Sequence, residues 1–251
     1  MKIALSLSGG GLRAAAHAGA LKFLREQNVE IAAVSGSSAG AIVALMIANG
    51  ESAENILDFL HDLSKKDLFR LTRNPGLFTL KKLEKKLKQH IGDKTYGQLQ
   101  IPFYSCVTDI NSGESVYLCD GDPILNTIAS SSLTPIFEAK MLENGKLYVD
   151  GGLSDNLPVT PLKTFQEKIL AINVNPLVGG DPKGFKSLFI RTILIMLNAN
   201  VKPAREIADG YLDIEGVARM QLFDFDEIDN AFRIGYETIA GQWDELKQKL
   251  V

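Results

Sequence analysis

Ile31-Ala32-Ala33-Val34-Ser35-Gly36-Ser37-Ser38-Ala39-Gly40-Ala41 is the stretch on which the fold turns. Its apolar lead-in reads as a short buried strand. From Ala39 through Ile42, Val43, Leu45, Met46 and Ile47 the pattern is helical, and Asn49-Gly50 is a plausible stop. Between strand and helix stands Gly36-x-Ser38-x-Gly40. A sharp strand-to-helix turn forces the middle serine into a strained conformation and exposes its hydroxyl, and glycines two residues to either side leave room for that turn. The helix N-terminus just beyond favours negative charge. The motif alone also fits a turn that uses small residues for packing; the strand before it and the helix after it are what suit a nucleophile.

Upstream, Ile3–Leu7 is a first strand, followed by Gly9-Gly10-Gly11-Leu12-Arg13-Ala14 and an alanine-rich helix from about Leu12 to Glu26. The first 50 residues therefore read β-loop-α-β-turn-α, which implies a parallel sheet. Residues 51–92 change character. Ser52 can cap a helix to about Lys65, and Thr79 can cap a second, Leu80 to Ile91, stopped by Gly92. The second helix carries Lys81, Lys82, Lys85, Lys86 and Lys88, which suit a solvated face or an anionic membrane surface. Strands resume at 103–109 and 115–119, joined by Asn111-Ser112-Gly113. Asp122-Pro123 opens a helix that ends near Ser130-Ser131-Ser132. Residues 146–149 form a strand running into Asp150-Gly151-Gly152, and 169–174 a buried strand. Residues 185–197 are an apolar helix, 211–214 a last strand, and 229–249 a terminal helix.

The chain has 251 residues, enough for one α/β domain spanning 1–251. Hydrophobic residues make up 45% and charged residues 23%, as in an ordinary globular chain. A net charge of −3 gives no general basic field, so nucleic acid is not an expected partner. Cys106 and Cys119 lack metal-ligand spacing. The opening reaches Gly9 too soon for a signal-peptide core, and no apolar run is long enough for a membrane span. The expected location is the cytoplasm. No metal or cofactor is implied.

The glycine loop Gly9–Ala14 also fits the dinucleotide fingerprint, but the acidic residue that fingerprint wants at the end of the second strand is replaced by the serine turn. An oxyanion hole is the better reading, since glycine N–H groups can approach a reacting oxygen closely. Arg13 could add positive charge there, hold the loop's shape, or make a structural salt bridge. A nucleophilic serine needs a base. The three histidines, His17, His61 and His90, do not follow a late strand where a triad histidine usually sits. Asp150, at a strand end before two glycines, could become a base if burial raised its pKa. Asp155, before Asn156-Leu157-Pro158, reads as a loop or cap residue.

Taken in order, Gly9-Gly10-Gly11-Leu12-Arg13-Ala14, Gly36-Ser37-Ser38-Ala39-Gly40 and Asp150-Gly151-Gly152 resemble the patatin-like phospholipase family. His17-Ala18-Gly19-Ala20-Leu21, Ala129-Ser130-Ser131 with Pro135 and Phe137, Asn156-Leu157-Pro158-Val159 and the Gly235-Tyr236 helix also look like bacterial members. The resemblance implies a three-layer α/β/α sandwich with a mainly parallel central sheet. It implies Ser38 as nucleophile, Asp150 as its partner in a dyad without histidine, and Gly10, Gly11 and Arg13 as the oxyanion hole. The implied reaction is hydrolysis of a fatty-acyl ester, typically of phospholipid or lysophospholipid, through an acyl-enzyme. Ala14 departs from the family's usual last glycine, a small change if position 14 is helical. The implied partner is an acyl lipid, with transient peripheral contact at a membrane surface. The alternatives are a transacylase using the same site and a non-catalytic lipid-responsive module. The apolar helix at 183–200 is a candidate acyl-pocket or lipid-contacting element, or simply core.

Overall fold

The computed structural model describes residues 1–251, the side chain of Lys186 excepted. Its first fifty residues form β1 (Lys2–Leu7), α1 (Ala15–Glu26), β2 (Glu30–Ser37) and α2 (Ala39–Asn49), with one 3₁₀ turn over Gly11–Ala14. Position 14 is thus helical, with φ −59°, so alanine is at ease there. Residues 51–92 hold α3 (Ala53–Asp62), α4 (Lys65–Leu68), the antiparallel pair β3 (Arg70–Leu71) and β4 (Phe78–Thr79), and α5 (Lys81–Ile91). The Ser52 hydroxyl caps α3 by accepting from Asn55 N–H at 3.0 Å. On α5, Leu83, Leu87 and Ile91 face inward while Lys82, Lys86 and Lys88 pair with Asp67, Asp62 and Glu84. The lysine-rich face is therefore a solvated one with acidic neighbours.

The chain continues with β5 (Phe103–Asp109), β6 (Ser115–Leu118), α6 (Pro123–Ser130), β7 (Lys140–Met141), β8 (Leu147–Asp150) and β9 (Lys168–Asn173). It closes with α7 (Phe185–Ala199), α8 (Lys202–Ile207), β10 (Gly210–Asp213) and α9 (Ile228–Leu250). The eight-stranded sheet runs β10-β9-β1-β2-β5-β8-β7, with β6 also on β5. From β10 to β5 the pairing is parallel; β6, β8 and β7 are antiparallel additions.

Alternation along the strands separates the two faces. Ile3, Leu5, Leu7, Val34, Leu170 and Ile172 join the large core under α1, α2, α3, α5, α6 and α9. Ala4, Ala33, Ile169 and Ala171 face a thinner layer made by the 160–164 turn and α8. The three layers are unequal: one face buries large side chains against many helices, whereas alanines on the other let a short segment pack close. α1 and α9 approach tightly enough that a Cβ at Gly19 would lie 1.9 Å from the Phe232 carbonyl oxygen.

One detail of register positions the site. Cys106 pairs with Ser37 on one edge of β5 and with Tyr117 on the other, while Val107 pairs with Val116 and Asp150. Hence β2 and β8 share the same edge of β5, and β8, arriving antiparallel, ends where β2 ends. The C-terminal ends of these two strands meet head-on, at Ser37 and Asp150.

Candidate active site

Ser38 is the turn between β2 and α2, at φ 52° and ψ −130°. A non-glycine residue there is strained, at a cost of order 1–3 kcal/mol. The turn is held because no larger residue fits beside it: a Cβ at Gly36 would lie 2.4 Å from the Gly40 carbonyl oxygen, and one at Gly40 would lie 2.4 Å from that of Ser8. The Ser38 N–H donates to Ser130 Oγ at 2.9 Å. Two residues on, the Ser132 carbonyl accepts from Asp150 N–H at 3.0 Å. The end of α6 thus staples the Ser38 turn and the Asp150 loop together, a function that Ser130-Ser131-Ser132 does not disclose in the sequence beyond its likeness to the family.

Asp150 is 1% exposed. Its Oδ1 accepts from Gly152 N–H at 2.8 Å. Burial pushes its pKa up to about 7, partly opposed by the nearby Ser38 hydroxyl and the Gly152 N–H. The hydroxyl is near enough to favour the carboxylate, although no well-aligned hydrogen bond joins the pair.

The glycine loop abuts the serine: a Cβ at Gly9 would lie 2.8 Å from that of Ser38. Gly11 has φ 57° and fits against the Leu222 carbonyl, 2.1 Å from where a Cβ would be. Among the described residues the N–H groups of Gly10, Gly11 and Ala39 donate to no protein acceptor. Arg13 does not enter the site. Its Nε donates to the Met220 carbonyl at 3.0 Å, Nη2 bonds the same oxygen, and Nη1 donates to Asn175 Oδ1 at 2.7 Å. Asn175 Nδ2 in turn donates to the Gly9 carbonyl at 2.7 Å. Of the roles open to Arg13 in the sequence, the geometry gives loop support through Asn175, without a carboxylate partner. Burial brings its pKa down to about 10.

None of the three histidines attends Ser38. His17 is buried under the glycine loop, its Nε2–H donating to the Ser8 carbonyl at 2.9 Å, and burial holds its pKa down to about 4. His61 bonds Asp229, and His90 lies by Glu51. Asp155 accepts from Tyr117 Oη–H at 2.8 Å and from Leu157 N–H at 3.1 Å, the loop role expected of it.

Gly9, Gly10, Gly11, Ser38, Asp150 and Asn156 line one end of a cavity. Apart from Ser131 the remainder is apolar, with Leu60, Leu63, Leu68, Leu80 and Leu83 from residues 51–92 beside Ile42, Leu133, Phe137, Leu222 and Phe223. Sequence reasoning missed these leucines because each sits at ordinary helix-face spacing, indistinguishable from core. It offered 183–200 as core or as an acyl- or lipid-contacting element, and among the described side chains of α7 Leu197 alone lines the cavity. α7 is divided: Ile193 and Leu197 are buried, while Phe185, Leu188, Ile195 and Met196 are exposed. Its C-terminal end is tied to the site, Asn198 Nδ2 donating to the Asn175 carbonyl at 2.9 Å and Asn200 Nδ2 to that of Leu153 at 2.7 Å.

Residues 5–163 match the family model described as patatin-like phospholipase. An uncharacterized NTE family protein of Mycobacterium bovis is 30% identical over 179 residues, 69% of this chain and 49% of that protein. The human patatin-like phospholipase domain-containing protein 6 is 29% identical over 184 residues, covering 68% of this chain and 13% of the relative. The chain therefore spans less than half the length of these curated relatives. Among solved structures, VipD from Legionella pneumophila aligns with a TM-score of 0.59 at 13% identity, over 97% of this chain and 67% of its own. The type III effector ExoU aligns at 0.54 and 14%, over 100% and 53%. These are likenesses of fold.

Proposed function

Because this chain belongs to the patatin-like phospholipase family, we propose that it is a serine acyl-ester hydrolase acting on a fatty-acyl lipid, with residues 1–251 as one patatin-like domain. The observation that carries this reading is the convergence, at one end of an apolar cavity, of the strained Ser38, the buried Asp150 and the unpaired N–H groups of Gly10 and Gly11. In the proposed reaction Asp150 takes the Ser38 hydroxyl proton as Oγ attacks the ester carbonyl carbon. The oxyanion of the tetrahedral intermediate rests on the Gly10 and Gly11 N–H groups. Collapse breaks the ester C–O bond, and the departing alcohol takes the proton from Asp150. Water then attacks the acyl-Ser38, giving its proton to Asp150, and the free acid leaves as Ser38 is reprotonated. A carboxyl with pKa about 7 is matched to accept and return a proton near neutral pH.

The acyl chain would lie among Leu60, Leu63, Leu80 and Leu83, away from solvent. The exposed apolar side chains of α7, joined to the site at its C-terminal end, support transient docking at a lipid surface. Among the described residues no helix is long and apolar enough to cross a membrane. Hydrolysis of nitrophenyl esters and of phospholipid vesicles, measured for wild type and Ser38→Ala, tests the proposal. Loss of both activities in a folded Ser38→Ala variant is the expected result; retained hydrolysis would overturn it.

A further inference from the structure

Ser6 Oγ, Ser37 Oγ, His17 Nδ1 and both polar atoms of Asn156 are buried without a hydrogen-bond partner, and of these residues Asn156 lines the cavity. Asn156 is fully buried, lines the cavity with Ser38 and Asp150, and has no hydrogen-bond partner on either Oδ1 or Nδ2. The other buried asparagines all use their amides. Asn49 bonds Glu51 and Lys94, Asn126 bonds the Asp120 carbonyl, Asn173 bonds Asp213, and Asn175 bonds Arg13 and Gly9. An amide stripped of water without replacement partners is costly to keep, and in a folded protein it calls for a reason.

Its placement supplies one. The Asn156 carbonyl accepts from Gly9 N–H at 3.2 Å, fixing the residue against the glycine loop. Its carboxamide fills the gap between that loop and the turn after Asp150: Oδ1 lies 2.7 Å from where a Cβ would stand at Gly9, and 2.7 Å from where one would stand at Gly152. The Gly9 position is itself in contact with Ser38. A carboxamide offers two N–H donors and one acceptor, and with neither Oδ1 nor Nδ2 held by a partner, rotation about the terminal bond exchanges them and turns the N–H donors to the side of Gly9 and Ser38. It is also neutral, so it adds donors beside Asp150 without a second negative charge. We propose that the Asn156 carboxamide is a third hydrogen-bond donor to the reacting ester, binding with the Gly10 and Gly11 N–H groups the oxygen on which negative charge develops. The donor is preorganised by burial and meets its partner only when the ester reacts, which directs its effect to the transition state rather than to substrate binding.

This inference rests on the proposed hydrolase reading, and the experiment separates the two. Wild type, Asn156→Ala and Asn156→Leu are compared on a soluble nitrophenyl acyl ester. Thermal unfolding reports on folding, and binding is measured for an acyl trifluoromethyl ketone, which forms a hemiketal oxyanion with the serine. Asn156→Leu keeps about the same volume, removes the donors and adds no charge, so it carries the test if Asn156→Ala does not fold. The expected result is a fall in kcat of about 10²–10³-fold, as for loss of one oxyanion donor. KM should stay within about threefold, and ketone affinity should fall in parallel with kcat/KM. A merely structural role would not tie ketone affinity to kcat/KM. Folded variants that keep kcat within about threefold, or that lose kcat while binding the ketone as wild type does, overturn the assignment of Asn156 alone. A wild-type protein that neither hydrolyses the ester nor binds the ketone overturns the hydrolase reading together with it.

Discussion

Asp150→Asn should cost activity and add stability, with a pH dependence that is fixed in sign. The carboxyl is raised from 3.8 to about 7, chiefly by burial, so the native state keeps this proton over a range in which the unfolded chain has lost it. Between about pH 4 and 7 the native state binds more protons, and wild-type stability falls as pH rises, levelling off above 7. At about 1.4 kcal/mol per pH unit the accumulated penalty is on the order of 4 kcal/mol. Asparagine has the same shape, can still accept from Gly152 N–H and does not titrate. The variant should therefore match wild type in stability near pH 4 and exceed it by several kcal/mol at pH 8. For a chain of this size that is on the order of 10 °C in Tm. Over the same range, wild-type kcat/KM should rise as Asp150 loses its proton near pH 7. Asp150→Asn should lie at least about 10²-fold lower throughout. Urea or thermal unfolding at pH 5 and pH 8, beside ester hydrolysis, measures both sides. A stability difference that does not grow between these pH values would refute the buried, proton-holding carboxyl. A folded variant with wild-type turnover would refute its role as base.

Arg13→Lys should lower stability by about 1.5–3 kcal/mol, because an ammonium cannot reproduce the fork to Met220 and Asn175. It should also slow hydrolysis by about 10²-fold as the Gly9–Gly11 loop shifts, and unchanged kinetics would show the loop to be held without it. Leu60→Trp or Leu83→Trp should narrow the cavity and move preference toward short acyl chains; a chain-length profile identical to wild type would place the acyl chain elsewhere. Phe185→Glu with Leu188→Glu should leave folding and soluble-ester hydrolysis intact while weakening binding to anionic vesicles, whereas Ile193→Glu, at a side chain only 8% exposed, should unfold the protein. Vesicle co-sedimentation and circular dichroism distinguish these outcomes.

Local patterning was sufficient for the first fifty residues, because each element there is specified by near neighbours. Apolar runs make β1 and β2 and small residues allow the turn at Ser38; further along, Ser52 and Asp122 likewise supply caps for the helices they precede. The glycine loop and the Ser38 turn follow adjacent parallel strands, so their proximity was legible as well. The short pairs β3–β4 and β7–β8 were not, since two-residue ladders are set by their neighbours rather than by any repeat in the chain.

The chain by itself determined the chemistry available: a serine on a forced turn, glycines with free N–H groups, and a carboxylate at a strand end with no suitably placed histidine. Tertiary structure alone decided how these meet. Ser38 and Asp150 are neighbours because β2 and β8 divide one edge of β5 between them. The leucines of residues 51–92 become a cavity wall only when that segment folds over the site, and Arg13 becomes a loop support only when Asn175, 162 residues away, is brought to it. Side-chain periodicity records which face of an element is buried, but not what lies against it. That is settled by contacts between residues far apart in the chain, which leave no local signature.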